Sequence, residues 1–322
     1  AIVARGLARA LVPEPLTATA VLAATALAAG ENEALKRNEL PRLTSGETLP
    51  ALAWQEAAGV LDAAASRTRA EPFEGGYKLS GVKRFIPGAA QADAFLVTAQ
   101  AANGIVLLWL PRDTPGAQLE LEPLADGRSF GTLKLQDALV PKGRVAAAGA
   151  AAAEALARAF DHGSVIAGAE LAGVMERALE MTLDYLKTRV QFGKPIGAFQ
   201  ALQHRAVDLY IHKELANAVL DEALALLDRG PDAATRAALA SRVKARCSDA
   251  ALKITRETIQ LHGAIGFTDE YDAGLYLKRA LTLAAWLGHP VWHRRRYARL
   301  TAGMTAGMTA GMTAGMTAGV TA

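Results

Sequence analysis

The chain has 322 residues, a formal net charge of +3 and one cysteine. Because 51% of its residues are apolar, a chain of this length can bury a large core, and we expect two or more packed units. The lone Cys247 excludes an internal disulfide framework and a cysteine-based zinc site, and its helical surroundings predict a buried structural thiol. A single cysteine fits a reducing cytosol, so we expect a cytoplasmic protein. The slight basic excess is spread along the chain and does not by itself indicate nucleic acid, so we expect neither nucleic acid nor a membrane as a partner.

Residues 1–48 predict two or three helices, which we interpret as the remainder of an N-terminal helical domain. Pro13 and Pro15 separate the first helix from the second, and Gly46 ends the last. The apolar run 15–29 imitates a signal peptide, but it is shorter than the about 20 residues that span a bilayer. It therefore predicts a buried helix.

Residues 49–147 change to short β-type runs that are separated by Gly, Pro, Asp and Asn. The runs GYKLSGVKRFIP, AFLVTAQ, GIVLLWLP and TLKLQDALVP have the length and the apolar content of strands. This region therefore predicts a central β domain, built as a small antiparallel sheet or barrel.

Residues 148–300 return to a helical period. Apolar residues from Leu202 to Leu227 recur at steps of three, four or seven, and 230–232, Gly-Pro-Asp, ends that helix and begins the next. Several such helices joined by short turns predict a C-terminal four-helix bundle, which gives an α+β, multi-domain fold. The repeat TAGM in 301–322 cannot bury enough apolar surface to fold alone, so we predict a low-complexity tail.

The turn RVQFGKPI at 189–196 contains residue types that a connection between two helices does not need. Gly193 supplies turn geometry, and an arginine at the end of a helix complements the helix dipole. Helix capping does not account for Arg189, Gln191 and Phe192 together. We therefore predict that this turn binds a ligand.

The order of helices, sheet and bundle, with RVQFGKPI and the later run QLHGAIGF, resembles the acyl-CoA dehydrogenase family. The runs LPRLTSGETLPALAWQEAAG and GGYKLSGVKRFIPGAAQADAFLV are similar to the family's entry into its β domain. The resemblance covers nearly everything from Ala1 to about Leu300. It implies that roughly the first helices of the family's N-terminal domain are missing.

The resemblance implies FAD as the cofactor. Arg189 can fork onto the pyrophosphate, Gln191 can donate to it or to the ribityl chain, and Phe192 offers a flat apolar face on the adenine side. In relatives this turn reaches the flavin of a neighbouring subunit. The other positions that the resemblance assigns to the cofactor are Gln260, Gly263 and Ala264 in the bundle, and Trp54, Gln55, Phe85 and Ile86 in the β domain.

The reaction that the resemblance implies is oxidation of an acyl-CoA to the trans-2-enoyl-CoA, with electrons passed to an electron-transfer flavoprotein. A carboxylate must remove the α proton. Leu287 stands where most relatives carry that glutamate, and Gly163 stands where a minority carry it. Asp161 and His289 are the candidates for a displaced base. The positions that the resemblance places near the substrate are Leu61, Phe160 and Ser164.

Three functions stay open at this point. The chain is a working dehydrogenase with a displaced base, a catalytically degenerate subunit of a hetero-oligomer, or a non-enzymatic flavin-binding scaffold. In either of the first two, we expect a homo- or hetero-oligomer that uses an acyl-CoA substrate. No residue spacing suggests a metal site, and the basic run 294–296 is interpreted as a solvated helix face.

Overall fold

The computed structural model describes residues 1–62 and 65–302, so most of the predicted tail lies outside the described residues. Three short helical segments come first. They are α1 (Ile2–Arg9), a π-helical stretch (Thr17–Ala23) that continues into α2 (Ala24–Ala28), and α3 (Glu33–Thr44).

An eight-stranded sheet follows the N-terminal helices. Its hydrogen-bonded order is β6-β7-β3-β2-β4-β5-β8, and β1 pairs with β4 outside this path. The strands are β1 (Pro50–Ala53), β2 (Arg69–Phe73), β3 (Gly76–Pro87), β4 (Ala94–Ala101), β5 (Gly104–Pro111), β6 (Ala117–Pro123), β7 (Ser129–Pro141) and β8 (Val145–Ala148).

The prediction of an antiparallel sheet is wrong at two pairings. β1 runs parallel to β4, with Pro50 opposite Ala94, and β2 is parallel to β4 where Arg69 faces Gln100. Both strands are far from β4 in sequence, so no tight turn forces them to run antiparallel to it.

The central strands are buried on both faces. In β4, Leu96 belongs to the core shared with the helices, whereas Phe95 and Val97 belong to a second core within the β domain. β5 alternates in the same way, with Leu107 on the helix side and Leu108 on the other. Because successive side chains of a strand point to opposite faces, this double burial explains the unbroken apolar runs in the sequence.

The C-terminal half is helical and is organised around one long helix, α4 (Gly149–Thr188), of 40 residues. A two-stranded turn, β9 (Val190–Gln191) and β10 (Lys194–Pro195), connects it to the later helices, and the last helical segment, α8, covers 290–302. α4 packs against α1, α5, α6 and α7. The intervening helices are α5 (Gln200–Leu227), α6 (Ala233–His262) and α7 (Ala273–Ala285).

Two details predicted for these helices are confirmed. Asp232 caps α6, because its side chain accepts a hydrogen bond from the Thr235 amide at 2.9 Å. Cys247 is fully buried, and burial raises the pKa of its thiol to about 12. No helix within residues 1–62 and 65–302 combines the length and the apolarity needed to cross a membrane.

α1 is held against α4 at a close crossing. Arg5 donates from Nε to Glu176 at 3.0 Å, and Arg9 donates from Nη1 to Glu180 at 2.7 Å. At the crossing a Cβ on Gly173 would lie 2.1 Å from the carbonyl oxygen of Arg5. Only glycine therefore allows the two backbones to approach this closely.

We predict that Gly173→Ala lowers the free energy of unfolding by about 1–3 kcal/mol, because α1 must move away from α4. Gly6→Ala is the matched control, since a Cβ on Gly6 meets no atom within 4 Å and alanine favours the helix. Urea unfolding of both variants measures the difference. Equal stability of the two variants would contradict the close-crossing argument.

Candidate functional site

A cavity of about 500 Å³ lies where the β domain meets α4 and α8. We call it the tryptophan cavity, after Trp54 and Trp292 in its wall. It is mainly apolar, and its polar atoms come from a few side chains. Its lining residues are Trp54, Val60, Leu61, Asp62, Ile105, Ala153, Leu156, Ala157, Phe160, Ser164, Leu287, Trp292, His293, Arg296 and Arg299.

The positions predicted to lie near the substrate come together in this cavity. Leu61 reaches it from the β domain, and Phe160 and Ser164 reach it from adjacent turns of α4. The Trp54 ring packs on Phe160 with their centroids 4.5 Å apart. Leu287, at the usual base position, lines the same cavity. Four positions that the resemblance singled out therefore lie close together in the structure.

Gly163 and Leu287, the two positions predicted for the base, lie next to each other in an apolar environment. A Cβ on Gly163 would lie 2.5 Å from Cδ2 of Leu22 and 3.1 Å from Cδ1 of Leu287. Leu287 itself is 5% exposed. A glutamate at position 163 would therefore need Leu22 and Leu287 to move. Apolar side chains therefore fill the space between the two positions predicted for the base.

The two candidates for a displaced base lie elsewhere. Asp161 is buried, and its oxygens accept hydrogen bonds from Arg236 Nε at 3.1 Å and from Arg296 Nη2 at 2.7 Å. Both carboxylate oxygens of Asp161 are therefore engaged by arginines, which leaves them no access to a substrate. His289 is exposed and accepts from the Val291 amide at 3.4 Å, at the start of α8. Neither residue lines the tryptophan cavity.

The turn that presents Leu287 has an unusual backbone. Leu287 has a φ of +57°, a left-handed conformation that is rare for leucine, and Gly288 has a φ of +110°. Lys244 donates to the carbonyl of Ala284 at 3.1 Å and to that of Gly288 at 3.0 Å. These bonds satisfy carbonyls that the end of α7 leaves unpaired.

His293 supports the same turn. Its Nε2 donates to the carbonyl of Leu287 at 2.8 Å, and its Nδ1 has no hydrogen-bond partner among the described residues. Burial and the nearby charge of Lys244 lower the pKa of His293 to about 3, so the ring is neutral. Burial likewise lowers the pKa of Lys244 to about 7. These groups hold the loop rather than abstract a proton.

The sequence did not indicate Trp292, His293 or Arg296 as site residues. The interpretation of 294–296 as a solvated helix face is wrong for Arg296, which lines the tryptophan cavity and binds Asp161. The helical spacing from Trp292 to Arg296 was a usable signal, because residues four apart share a face. The ion pair between Arg296 and the buried Asp161 turns that helix face towards the protein interior.

A buried lysine fixes the segment that forms the β-domain side of the cavity. Lys83 Nζ donates to Glu56 Oε1 at 2.6 Å, to Ser66 Oγ at 2.9 Å and to Thr98 Oγ1 at 3.0 Å. Burial opposes ionisation of Glu56, but hydrogen bonds from Lys83 and the backbone outweigh it and lower the pKa of Glu56 to about 2. Burial lowers the pKa of Lys83 to about 8.

The predicted cofactor turn after α4 projects into solvent. β9 and β10 pair Gln191 with Lys194, and the Ile196 amide donates to the Arg189 carbonyl at 2.8 Å. Phe192 is 90% exposed. Within residues 1–62 and 65–302, the side chains of Arg189 and Gln191 make no hydrogen bond or ion pair. A rigid turn with unengaged donors and a flat aromatic face fits a pyrophosphate and an adenine.

The second predicted cofactor motif lies at the same end of the helices. Tyr185, one turn before Arg189, stacks on His262 with ring centroids 4.4 Å apart. Gln260, Gly263 and Ala264 are exposed there, and Gly263 has a φ of +66° with no atom near its Cβ position.

The β-domain cofactor positions lie at the opposite end of α4. Trp54 packs on Phe160, which lies about 29 residues before Arg189, and a helix rises about 1.5 Å per residue, so the two ends are about 43 Å apart. One dinucleotide cannot reach both ends. Near Trp54, Ile86 is buried in the β-domain core, Phe85 packs edge-on against Phe130, and Gln55 donates to the Ala57 carbonyl.

Comparison with known proteins gives a consistent result. Residues 153–301 match the family model described as acyl-CoA dehydrogenase, C-terminal domain. The chain is 30% identical to an acyl-CoA dehydrogenase of Bacillus subtilis (strain 168) over 77% of this chain and 67% of that protein. It is 30% identical to a short-chain specific acyl-CoA dehydrogenase of Megasphaera elsdenii, over 82% and 71% respectively. It is 42% identical to acyl-CoA dehydrogenase IpdE2 of Mycolicibacterium smegmatis, over 42% of this chain and 41% of that protein.

Several solved structures share this architecture over most of the chain. The Tcur3481-Tcur3483 steroid ACAD G363A variant has a TM-score of 0.83 at 29% identity, covering 95% of this chain and 81% of that chain. The ChsE4-ChsE5 complex from Mycobacterium tuberculosis has a TM-score of 0.83 at 26% identity, covering 93% and 79%. PigA with FAD and proline has a TM-score of 0.83 at 26% identity, covering 88% and 76%.

We predict that the stability difference between wild type and Glu56→Gln depends on pH. The folded-state pKa of Glu56 is depressed, so its contribution is complete above the unfolded value of about 4.5 and is lost as the pH falls towards about 2. Denaturant unfolding at pH 7, 4 and 2.5 measures the difference. A difference that stays constant over this range would contradict the Lys83–Glu56 assignment.

Proposed function

The chain belongs to the acyl-CoA dehydrogenase family, and from that membership we propose that it is the non-catalytic subunit of a two-chain, FAD-dependent acyl-CoA dehydrogenase. A partner chain of the same family supplies the carboxylate base. This chain supplies the turn 189–196 to the partner's flavin site. Electrons from the oxidised acyl-CoA pass to an electron-transfer flavoprotein.

The apolar contact at the two base positions carries this proposal. Leu287 and Gly163 leave no carboxylate there, Leu22 fills the space between them, and Asp161 is engaged by two arginines. Asp62 is the carboxylate in the described lining of the tryptophan cavity, and it is exposed to solvent. A loss of the base from both family positions fits a subunit that no longer performs the proton transfer.

The retained turn explains why such a subunit is kept. Arg189 and Gln191 would hold the pyrophosphate and Phe192 would cover the adenine side, at an end of α4 far from this chain's own Trp54. FAD, when bound, supplies the acceptor for the β hydride. This chain's part is to bind and orient the cofactor across a subunit boundary.

An exposed apolar stripe supports assembly with another chain. Val207, Ile211 and Leu215 of α5 are 55%, 49% and 53% exposed, and their spacing of four places them on one helix face. Exposed apolar patches of this kind are typical of protein interfaces. In the proposed assembly the helices α4 to α7 form the predicted four-helix bundle, and this α5 face meets a neighbour. Two structural relatives have titles that join two protein names, Tcur3481-Tcur3483 and the ChsE4-ChsE5 complex, which agrees with a hetero-oligomer.

We predict that the full chain purified alone does not reduce flavin. Visible absorption is followed anaerobically while butyryl-CoA, octanoyl-CoA or a steroid-side-chain CoA thioester is added. We expect no bleaching at 450 nm with any of them, because the base is absent. Bleaching of flavin bound to this chain alone would overturn the assignment as a non-catalytic subunit.

We predict that Arg189→Ala lowers flavin affinity of the two-chain complex by about 10- to 100-fold, because a charge-assisted bond to phosphate is lost. The partner tested is an acyl-CoA dehydrogenase chain from the same organism that has glutamate at either base position. Arg229→Ala, an exposed arginine at the end of α5, is the matched control. Flavin content and helical circular dichroism are measured together. Unchanged flavin affinity in a folded Arg189→Ala complex would contradict the role of the turn.

A further inference from the structure

A cavity of about 530 Å³ lies at the edge of the β domain. We call it the hairpin cavity, because the hairpin between β2 and β3 forms one wall, from Pro72 to Tyr77. β8, at the end of the hydrogen-bonded strand order, forms another wall with residues 145–148, and Lys142 and the residues just before α3 complete the lining. The hairpin cavity shares no lining residue with the tryptophan cavity, and it contains none of the positions predicted for flavin or substrate.

Backbone contacts hold the walls of the hairpin cavity together. The Lys142 amide donates to the Gly75 carbonyl at 2.8 Å, which fixes the hairpin to the segment before β8. The Asn32 side chain donates to the Val145 carbonyl at 2.9 Å, which fixes the start of α3 to β8. The cavity is therefore formed before any ligand binds, as is usual for small-molecule sites.

Two charged side chains in the lining have no partner in the described parts of the chain. The Lys142 ammonium and the Glu31 carboxylate make no hydrogen bond or ion pair there, and they do not pair with each other. They are the charged residues of the lining, so its charges cancel. An ion of either sign would be attracted by one of them and repelled by the other. A zwitterion can pair with both.

The rest of the lining suits a large apolar group. Phe73 is 38% exposed, and Tyr77 is half-buried with a hydroxyl that has no partner among the described residues. β8 contributes Val145 and the three alanines 146–148, whose small side chains leave the space open. Aromatic rings provide a large apolar contact area for a bound side chain. The volume lies within the range of about 300–1,000 Å³ that is typical of small-molecule sites.

We propose that the hairpin cavity binds a free α-amino acid with a large apolar side chain. The carboxylate of this ligand pairs with Lys142, its ammonium pairs with Glu31, and its side chain packs on Phe73 and Tyr77. The inference goes beyond the proposed function, because it requires neither flavin nor a partner chain. It accounts for two unpaired charges of opposite sign beside an exposed aromatic ring.

The test compares L-phenylalanine with two analogues that each lack one charge. Phenethylamine has no carboxylate, and 3-phenylpropionate has no ammonium. Each is titrated into the full chain at low ionic strength, because salt screens exposed charges, and ligand-detected NMR measures the affinities. We expect L-phenylalanine to bind about three- to tenfold more tightly than either analogue, as one solvent-exposed, charge-assisted contact provides. L-Leucine and L-tryptophan are titrated in the same way.

Two variants separate the two contacts. Lys142→Gln should abolish the preference over phenethylamine and keep the preference over 3-phenylpropionate, whereas Glu31→Gln should do the reverse. Both substitutions remove side chains without a partner in the described residues, so both variants should fold, which circular dichroism checks. Lys187→Gln and Glu270→Gln, at exposed positions outside the lining, are the matched controls and should leave every affinity unchanged.

Three results would overturn the proposal. They are no binding of any of the three amino acids, equal affinity of wild type for L-phenylalanine and both analogues, or preferences that survive in both Lys142→Gln and Glu31→Gln. Because the chain is tested alone and without flavin, none of these outcomes depends on the proposed function.

Discussion

The packing of α4 determines where the other helices and the candidate sites lie. It has 40 residues, and ten of its 22 buried residues are alanine or glycine, which lets α1, α5, α6 and α7 approach it closely. The crossing at Gly173 is the tightest of these contacts. The same helix carries Phe160 and Ser164 in the tryptophan cavity, and the cofactor turn follows its C-terminus. Its rigidity fixes the distances between these sites.

The site combines a preserved frame with altered chemistry. The left-handed backbone at Leu287 is costly for an ordinary side chain, and Lys244 and His293 hold it in place with three hydrogen bonds to carbonyl groups. Such strain persists where surrounding contacts impose it. Leu287 and Leu22 belong to one buried core, against which Leu61 packs. The loop therefore holds this backbone although Leu287 carries no acid–base group.

Sequence patterns predicted the larger elements because their causes are local. A few neighbouring residues determine each of three features: the apolar period of α5, the N-cap at Asp232 and the change to short strands after residue 49. The parallel pairing of β1 with β4 was missed, since it depends on contacts between distant segments. Leu61, Phe160, Ser164 and Leu287, which the resemblance assigned to the substrate and the base, line one cavity, and their roles stay predictions.

Other parts of the site needed three-dimensional information. Arg296 looked like a surface residue because nothing near it in the sequence reveals the buried Asp161, 135 residues earlier. The hydrogen bonds of Lys83 connect four segments of the β domain, so no local pattern predicts them.

The separation of about 43 Å along α4 has a consequence for how the enzyme would be made. In the proposed assembly, the groups that contact one flavin come from two chains, so neither chain forms a complete cofactor site during synthesis. Flavin loading then reports correct pairing of the subunits. A surplus of either chain stays colourless, and reducible flavin is confined to complexes that also contain the base. The length of one helix thereby couples cofactor incorporation to subunit stoichiometry.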